Sequence, residues 1–148
     1  EDGFNMIARL KDNNFIAVGY SGSFFSKGMK DVLMVKIDSL GNKMWMNLYG
    51  GKSDDIANSV FECKDSGFAL AGETTSFGSG KNDILILKTN SNGVQKWKST
   101  IGGKGVDIGR SIEELPKGGF IVSGTSTISN LSFDSILIKT DKKGKTSN

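Results

Sequence analysis

The sequence contains no histidine, one cysteine and one proline, and all but two of its cationic residues are lysines. Without histidine, the commonest general acid or base and the commonest transition-metal ligand are excluded. The single cysteine, Cys63, excludes an internal disulfide and a cysteine-based zinc site. Arg9 and Arg110 are too few for a guanidinium cluster that binds phosphate, and the net charge is only +3. We therefore expect no cofactor, no metal centre and no nucleic-acid partner.

Long apolar segments are also missing. No stretch approaches the roughly 20 apolar residues of a membrane helix, and no signal-peptide pattern opens the chain. The 148 residues are 36% hydrophobic and 24% charged, which is the composition of an ordinary soluble domain. We expect one domain over residues 1–148 and no membrane span. The absence of an initial methionine suggests a processed chain or part of a longer polypeptide.

The chain consists of three copies of one motif, repeated after about 52 residues. Each copy has an aspartate, a phenylalanine thirteen residues later and a glycine four residues after that. These positions are Asp2, Asp55 and Asp107, then Phe15, Phe68 and Phe120, then Gly19, Gly72 and Gly124. A period of this length is typical of propellers and other repeat architectures. The copies span residues 1–51, 52–103 and 104–148, and the last one is incomplete.

Each copy divides into four short apolar runs, called strands A to D, that lack the spacing of an amphipathic helix. In the second copy the predicted strands are 56–63, 68–75, 83–90 and 94–101. The turns between strands C and D place Asp or Asn first and Gly fourth, which is typical of a type I turn that closes into a bulge. In the A–B turns, Asn14, Gly67 and Gly119 occupy one position, where we expect a positive φ.

Strand C has apolar residues on both faces, with Val32 and Met34 on one face and Leu33 and Val35 on the other. Such a strand is covered from both sides. The predicted fold is therefore all-β, with three four-stranded antiparallel repeats arranged as β-propeller blades. A β-sandwich or a solenoid is the alternative architecture.

The repeated pattern also resembles a known family. Its parts are a Gly-Gly turn before an aspartate, a G-F pair before strand B, a D-[IV]-L-[IM]-x-K strand C and a tryptophan in strand D, at Trp45 and Trp97. It is similar to bacterial β-propeller repeats of roughly fifty residues, the SBBP-type seven-bladed propeller repeats. The resemblance implies a propeller fold and an extracellular or cell-surface location. It implies no single function, because such propellers serve as binding platforms, lectin-like modules and enzymes.

Three blades are too few to close a ring, because propellers have at least four. An open arc would expose an apolar sheet face at each end, which favours association. We expect the chain to be a half or a fragment of a propeller. Its partner would be a second copy, giving a six-bladed homodimer, or further repeats of a longer parent.

The variable B–C loops, which emerge with the D–A connections on one face, are the predicted binding region. Phe24, Phe25 and Phe77 lie in these loops and could stack on a sugar ring or an apolar side chain. Asp55 and Asp107 follow the Gly-Gly turns on the same face and could bond to ligand hydroxyls. The repetition of the aspartates also fits a structural task, such as accepting backbone N–H bonds. The aromatic residues could equally fill gaps between blades.

Two function classes follow from these residues and their spacing. The first is a non-catalytic binding or scaffold module that engages a glycan or a protein through the B–C and D–A loop face. The alternative is a propeller of the glycoside hydrolase or lyase type that uses carboxylates at the rim. No catalytic residue is assigned, although Glu73 breaks the repeat at a position held by Tyr20 and Thr125.

Overall fold

The chain forms an all-β structure of eleven strands. The structure, a computed structural model, describes residues 1–23, 27–129 and 132–146, and no helix occurs in these ranges. The first sheet contains β1 (Asp2–Arg9), β2 (Phe15–Ser21), β3 (Asp31–Ile37) and β4 (Lys43–Tyr49). The second contains β5 (Asp55–Glu62), β6 (Phe68–Thr74), β7 (Asp83–Thr89) and β8 (Gln95–Ile101). The third contains β9 (Asp107–Glu114), β10 (Phe120–Ser129) and β11 (Ser132–Thr140).

The strands follow one another across each sheet, and all pairs are antiparallel. The predicted strands of the second copy are confirmed to within one residue at each end. In the third sheet, an isolated antiparallel bridge joins Thr140 to Thr146. This is the position at which the fourth strand begins in the other two sheets, through the pairs Ile37–Lys43 and Thr89–Gln95.

The predicted turns between the third and fourth strands are confirmed. Gly41, Gly93 and Gly144 have φ values of 87°, 75° and 73°. Each donates its N–H to the residue three positions earlier, at 3.1 Å, as in a type I turn. Only glycine adopts this left-handed conformation without steric cost, which explains its place in every copy.

The turns between the first and second strands correct the sequence prediction. Positive φ occurs one position earlier than expected, at Asn13 (65°) and Ser66 (60°), and Asn14 and Gly67 do not have it. Only the third turn has positive φ at the predicted position, where Gly118 (87°) and Gly119 (83°) are both left-handed. Glycine is needed at position 67 for a different reason: a Cβ there would collide with the Thr89 carbonyl oxygen.

The third sheet departs from the other two at its B–C connection. β10 and β11 continue as a long hairpin as far as the pair Ser129–Ser132. Asp134 therefore lies inside β11 and is exposed, whereas Asp31 and Asp83 begin their strands and are buried. The sequence pattern places an aspartate at the start of strand C in every copy, and for Asp134 this prediction is wrong. β11 is also open on one side, where Leu137 is 71% exposed.

Neighbouring sheets share several contacts in both places. We call the contact of the first and second sheets the first seam, and that of the second and third sheets the second seam. The Trp45 ring packs against Phe68 at 6.0 Å in the first seam, and Trp97 packs against Phe120 at 5.7 Å in the second. Each seam also buries a continuous apolar cluster.

The first strands of the sheets, β1, β5 and β9, lie side by side and are joined by asparagine side chains. Each has a one-residue bulge, at Asn5, Asn58 and Arg110. Asn5 Nδ2 donates to Ala57 O and Asn58 Nδ2 donates to Gly109 O, both at 2.9 Å. In β1 and β5 the bulged residue is thus an asparagine whose side chain donates to the first strand of the next sheet.

Two buried acidic groups make the core sensitive to high pH. Burial raises the pKa of Tyr49 to about 12 and that of the Cys63 thiol to about 11. Both groups are neutral in the folded chain, and the Tyr49 hydroxyl donates to Gly93 O at 2.5 Å across the first seam. The free thiol of Cys63 is fully buried and is therefore protected from oxidation.

We expect the free energy of unfolding to be constant near neutral pH and to fall as pH rises. The unfolded groups ionise near their ordinary pKa values of 9.0 and 10.0, whereas the folded groups resist ionisation until about 11 and 12. Stability should therefore fall between these limits, by on the order of 5 kcal/mol for the pair. Urea unfolding at a series of pH values measures it. The Cys63→Ala, Tyr49→Phe variant should show a flatter profile, and an equally steep one would contradict the assignment.

Candidate functional site

The connections that the sequence predicts as a binding face do lie together. The backbone N–H of Asp55 donates to Lys30 O at 2.7 Å, and that of Asp107 donates to Asn82 O at 2.9 Å. Each bond ties the D–A connection of one copy to the B–C loop of the copy before it. We call this surface the loop face; the opposite surface, formed by the A–B and C–D turns, is the turn face.

Asp55 and Asp107 point inward at the loop face and hold its turns. Asp55 is 0% exposed and Asp107 is 4% exposed. Asp55 Oδ2 accepts from Gly51 N at 2.8 Å and from Ser76 Oγ at 2.7 Å. Asp107 Oδ2 accepts from Gly103 N at 2.8 Å. These carboxylates close the Gly-Gly turns, and a direct contact with a ligand remains a prediction.

The aspartates of neighbouring strands approach each other around the Gly-Gly turns. A Cβ on Gly102 would lie 2.7 Å from Asp107 Oδ2 and would also overlap Asp83. In the first seam, the Oδ1 atoms of Asp31 and Asp55 are buried and have no hydrogen-bond partner among the described residues. Within the described part of the chain, no group of three or more His, Cys, Asp or Glu residues is placed to hold a metal ion.

Phe77 is the one aromatic site candidate whose position is described, because Phe24 and Phe25 lie outside the described residues. Its ring is half-buried, and Lys98 Nζ lies 3.0 Å from the ring centre. Burial lowers the pKa of Lys98, and the nearby Asp55 opposes this effect. A cation over an aromatic face stabilises the charge. The Phe77 ring is therefore already in contact with a cation, and any ligand that stacked on this face would have to displace Lys98.

The carboxylate that breaks the repeat, Glu73, is engaged in a structural contact. Glu73 Oε2 accepts from Asn82 Nδ2 at 2.6 Å, which links the end of β6 to the start of β7. A general acid needs a pocket that receives a substrate. Glu73 itself does not line the principal grooves of the described surface, although its strand partner Ile84 lines one of them.

The hydroxyl groups that complete the loop face were not predicted from the sequence. Ser76 Oγ bonds to Asp55, and Ser21 Oγ donates to the equivalent Asp2 at 2.6 Å. Thr127 Oγ1 plays a related part in the third copy by accepting from Val106 N at 2.7 Å. A signal was present, because each B–C segment begins with Ser and Thr residues. The arrangement binds backbone and does not assemble a reactive nucleophile.

Comparison with known proteins assigns this chain to no family. A scan against protein-family models and a search of curated proteins gave no match. Nothing in the described ranges is a helix long and apolar enough to cross a membrane.

Proposed function

We propose that this chain is a β-propeller-type, non-catalytic binding or scaffold module whose first sheet receives another sheet of the same kind. The observation that carries the proposal is the outer face of the first sheet. On its first three strands, this face has apolar residues at the positions that the second and third sheets pack against the sheet before them. The seam repeated twice within the chain is therefore the template for a further contact.

The outer face can be followed as rows of paired residues. One row crosses all four strands of the first sheet and consists of Ile7, Ala17, Val35 and Met46. In the equivalent row of the second sheet, Val60, Leu70 and Leu87 are buried in the first seam, and the fourth member, Lys98, is exposed. Residues paired directly across strands share one face of a sheet. The first sheet thus has an apolar row where the second sheet makes its interface.

Ile7 and Met46, the ends of this row, are 60% and 48% exposed. The next row adds Phe4, which is 57% exposed, and Leu33. A contiguous apolar surface of this kind marks an interaction site. The partner sheet belongs to a second copy of the chain or to further repeats. Either partner would extend the arc toward a closed ring.

The ligand-binding part of the proposal places a glycan or a protein on the loop face. Its support is the unequal length of the B–C segments beside the uniform turns of the opposite face, since binding residues concentrate on variable loops carried by a rigid scaffold. Phe24, Phe25 and Phe77 are the proposed contacts. The resemblance to surface propeller repeats supports an extracellular or cell-surface location.

The proposal is tested through self-association. We expect the chain to show a mass above that of a monomer by light scattering, and to dissociate over about a hundredfold dilution. The Phe4→Asp, Ile7→Asp variant should shift this dissociation to at least tenfold higher concentration, because the equivalent residues of the second sheet, Ala57 and Val60, are buried in the first seam and each charge would have to be buried in the contact. Both side chains are exposed in the single chain, so the fold should be retained.

The matched control places the same two charges elsewhere. Leu40 and Val94 are exposed apolar residues of the turn face, at 85% and 61%, and their change to Asp should leave association unaltered. Equal effects of the two double variants would mean that net charge alone governs association. A wild-type monomer at every concentration would contradict the proposed contact of copies.

A further inference from the structure

A lysine-rich groove crosses the second seam on the turn face. We call it the lysine groove; it encloses about 480 Å³. Its charged residues are Lys64, Lys88, Lys96, Lys117, Lys142, Asp65 and Glu114. Five cations against two anions leave a formal charge of +3, which equals the net charge of the whole chain.

The two carboxylates of the groove are already engaged. Asp65 accepts from Lys88 Nζ at 2.8 Å and from Lys96 Nζ at 2.9 Å. Partial burial raises the pKa of Asp65, but the hydrogen bonds from both lysines outweigh it and hold that pKa below its usual range. Glu114 Oε2 accepts from Lys64 N at 2.8 Å. The groove therefore carries more positive charge than its own carboxylates neutralise.

Lys117 and Lys142 provide most of this excess. Both are exposed, and within the described ranges neither has an ion-pair partner. They extend from neighbouring turns of the third sheet, and the aliphatic chain of Lys142 passes close to Gly118. An anion near these two turns would be attracted by two ammonium groups that form no ion pair with the described residues.

The first seam serves as an internal comparison, because the repeat places equivalent residues there. The charged residues at the equivalent positions of the first seam are Lys11, Lys36, Lys64, Asp12, Glu62 and Asp65. Met44 stands at the position of Lys96, and Ser91 stands at the position of Lys142. The structural ion pair is retained, since Lys36 Nζ lies 2.9 Å from Asp12 Oδ2. Three lysines then face three carboxylates, and the formal charge is zero. The excess charge of the second seam is therefore not a requirement of sheet packing.

The floor of the groove suits a sugar. Trp97 lines it and is half-buried, and Gly118 and Gly119 form a wall without side chains. Aromatic rings offer an apolar surface with a polar edge on which a sugar ring stacks. Lysine provides a flexible point charge that accepts carboxylate or sulfate without a fixed two-point geometry.

We propose that the lysine groove binds an acidic polysaccharide, a chain of sugars that carries carboxylate or sulfate groups. Lys96, Lys117 and Lys142 bind the anionic groups, and Trp97 contacts a sugar ring. The site lies on the turn face, away from the loop face, and it does not depend on assembly of the chain with another sheet.

The test uses two acidic probes and two controls in calorimetric titrations at about 0.15 M salt, where the Debye length is about 8 Å. The probes are an oligogalacturonate and a sulfated oligosaccharide of similar length. The controls are a neutral oligosaccharide and a poly-glutamate peptide. We expect one or both acidic probes to bind, and the preferred probe identifies the anionic group. Equal binding of poly-glutamate, or no binding of either acidic probe, would overturn the proposal.

The decisive variant, Lys96→Met, Lys117→Asp, Lys142→Ser, gives the second seam the residues of the first at these three positions and removes its positive excess. We expect it to weaken binding at least tenfold, as loss of charge-assisted hydrogen bonds predicts. The matched control, Lys43→Met, Lys52→Asp, Lys104→Ser, makes the same replacements at exposed positions outside the groove. It should bind within about twofold of the wild type. Equal losses in both variants would show a general charge effect and overturn the site. The single change Lys142→Ser, on an exposed turn, serves if the triple variant fails to fold, and unchanged binding would then overturn it.

Discussion

Replacing Phe68 with alanine is expected to lower the free energy of unfolding by about 3–5 kcal/mol. Phe68 is 1% exposed and packs against Trp45 from the first sheet, so the change leaves a cavity at the centre of the first seam. The side chains around this cavity belong to two sheets, whose backbones are held by their own ladders. They are therefore poorly placed to collapse into the space.

Phe15 is the matched control for this experiment. It occupies the same position in the first sheet, but its outer side has no neighbouring sheet and it is only half-buried. The Phe15→Ala variant should lose less than about 2 kcal/mol, because less surface is removed from contact. Urea unfolding followed by circular dichroism measures both values. Equal losses of unfolding free energy in the two variants would show that the contact of Phe68 with the first sheet adds nothing to stability.

Replacing Gly72 with alanine is expected to cost about 3 kcal/mol or more. A Cβ at Gly72 would overlap the carbonyl oxygen of Ile56 and lie 2.9 Å from Ala57 Cα. Both atoms belong to the backbone of β5 beside its bulge, so no side-chain rotation relieves the collision. The backbone at Gly72 does not have a positive φ, and the requirement for glycine there is one of space.

Gly103 supplies the comparison, because a Cβ there would meet no atom within 4 Å. The Gly103→Ala variant should keep its stability to within about 0.5 kcal/mol. Thermal unfolding of the two variants, measured side by side, distinguishes a close backbone approach from a general intolerance of glycine replacement. A Gly72→Ala variant as stable as the wild type would mean that β5 and β6 can separate at the bulge without cost.

Local features of the structure followed well from the amino-acid sequence. The strands of the second copy and the glycines of the C–D turns were predicted, because strand periodicity and turn chemistry involve neighbouring residues. The A–B turns were predicted less well. Asn13 and Ser66 adopt positive φ although a glycine follows Ser66, so the turn type, and not the glycine alone, decides which residue is left-handed.

The candidate sites depended more on contacts between distant residues. The repeated aspartates suggest either a rim of ligand-binding groups or a structural task. Asp55 and Asp107 perform the structural task, because they accept backbone N–H bonds from the Gly-Gly turns, and their contact with a ligand stays a prediction. The asparagine contacts between first strands were overlooked, although Asn5 and Asn58 occupy equivalent positions. The lysine groove does not follow from the sequence, because its five lysines come from five separate turns and strands and the excess charge is seen only when the two seams are compared.

The sequence by itself determined the repeat, the order of the strands, the absence of helix in the described residues and the chemistry of the tight turns. These properties depend on alternation of apolar residues and on glycine conformations, which act over a few residues of chain. Tertiary structure alone decided which faces are covered, which carboxylates are buried and where the lysines converge. Those properties depend on which sheet packs on which, and a sequence repeated three times assigns the same local structure to a copy in the middle and a copy at the end. Packing distinguishes them, because only the second sheet has a neighbour on both sides.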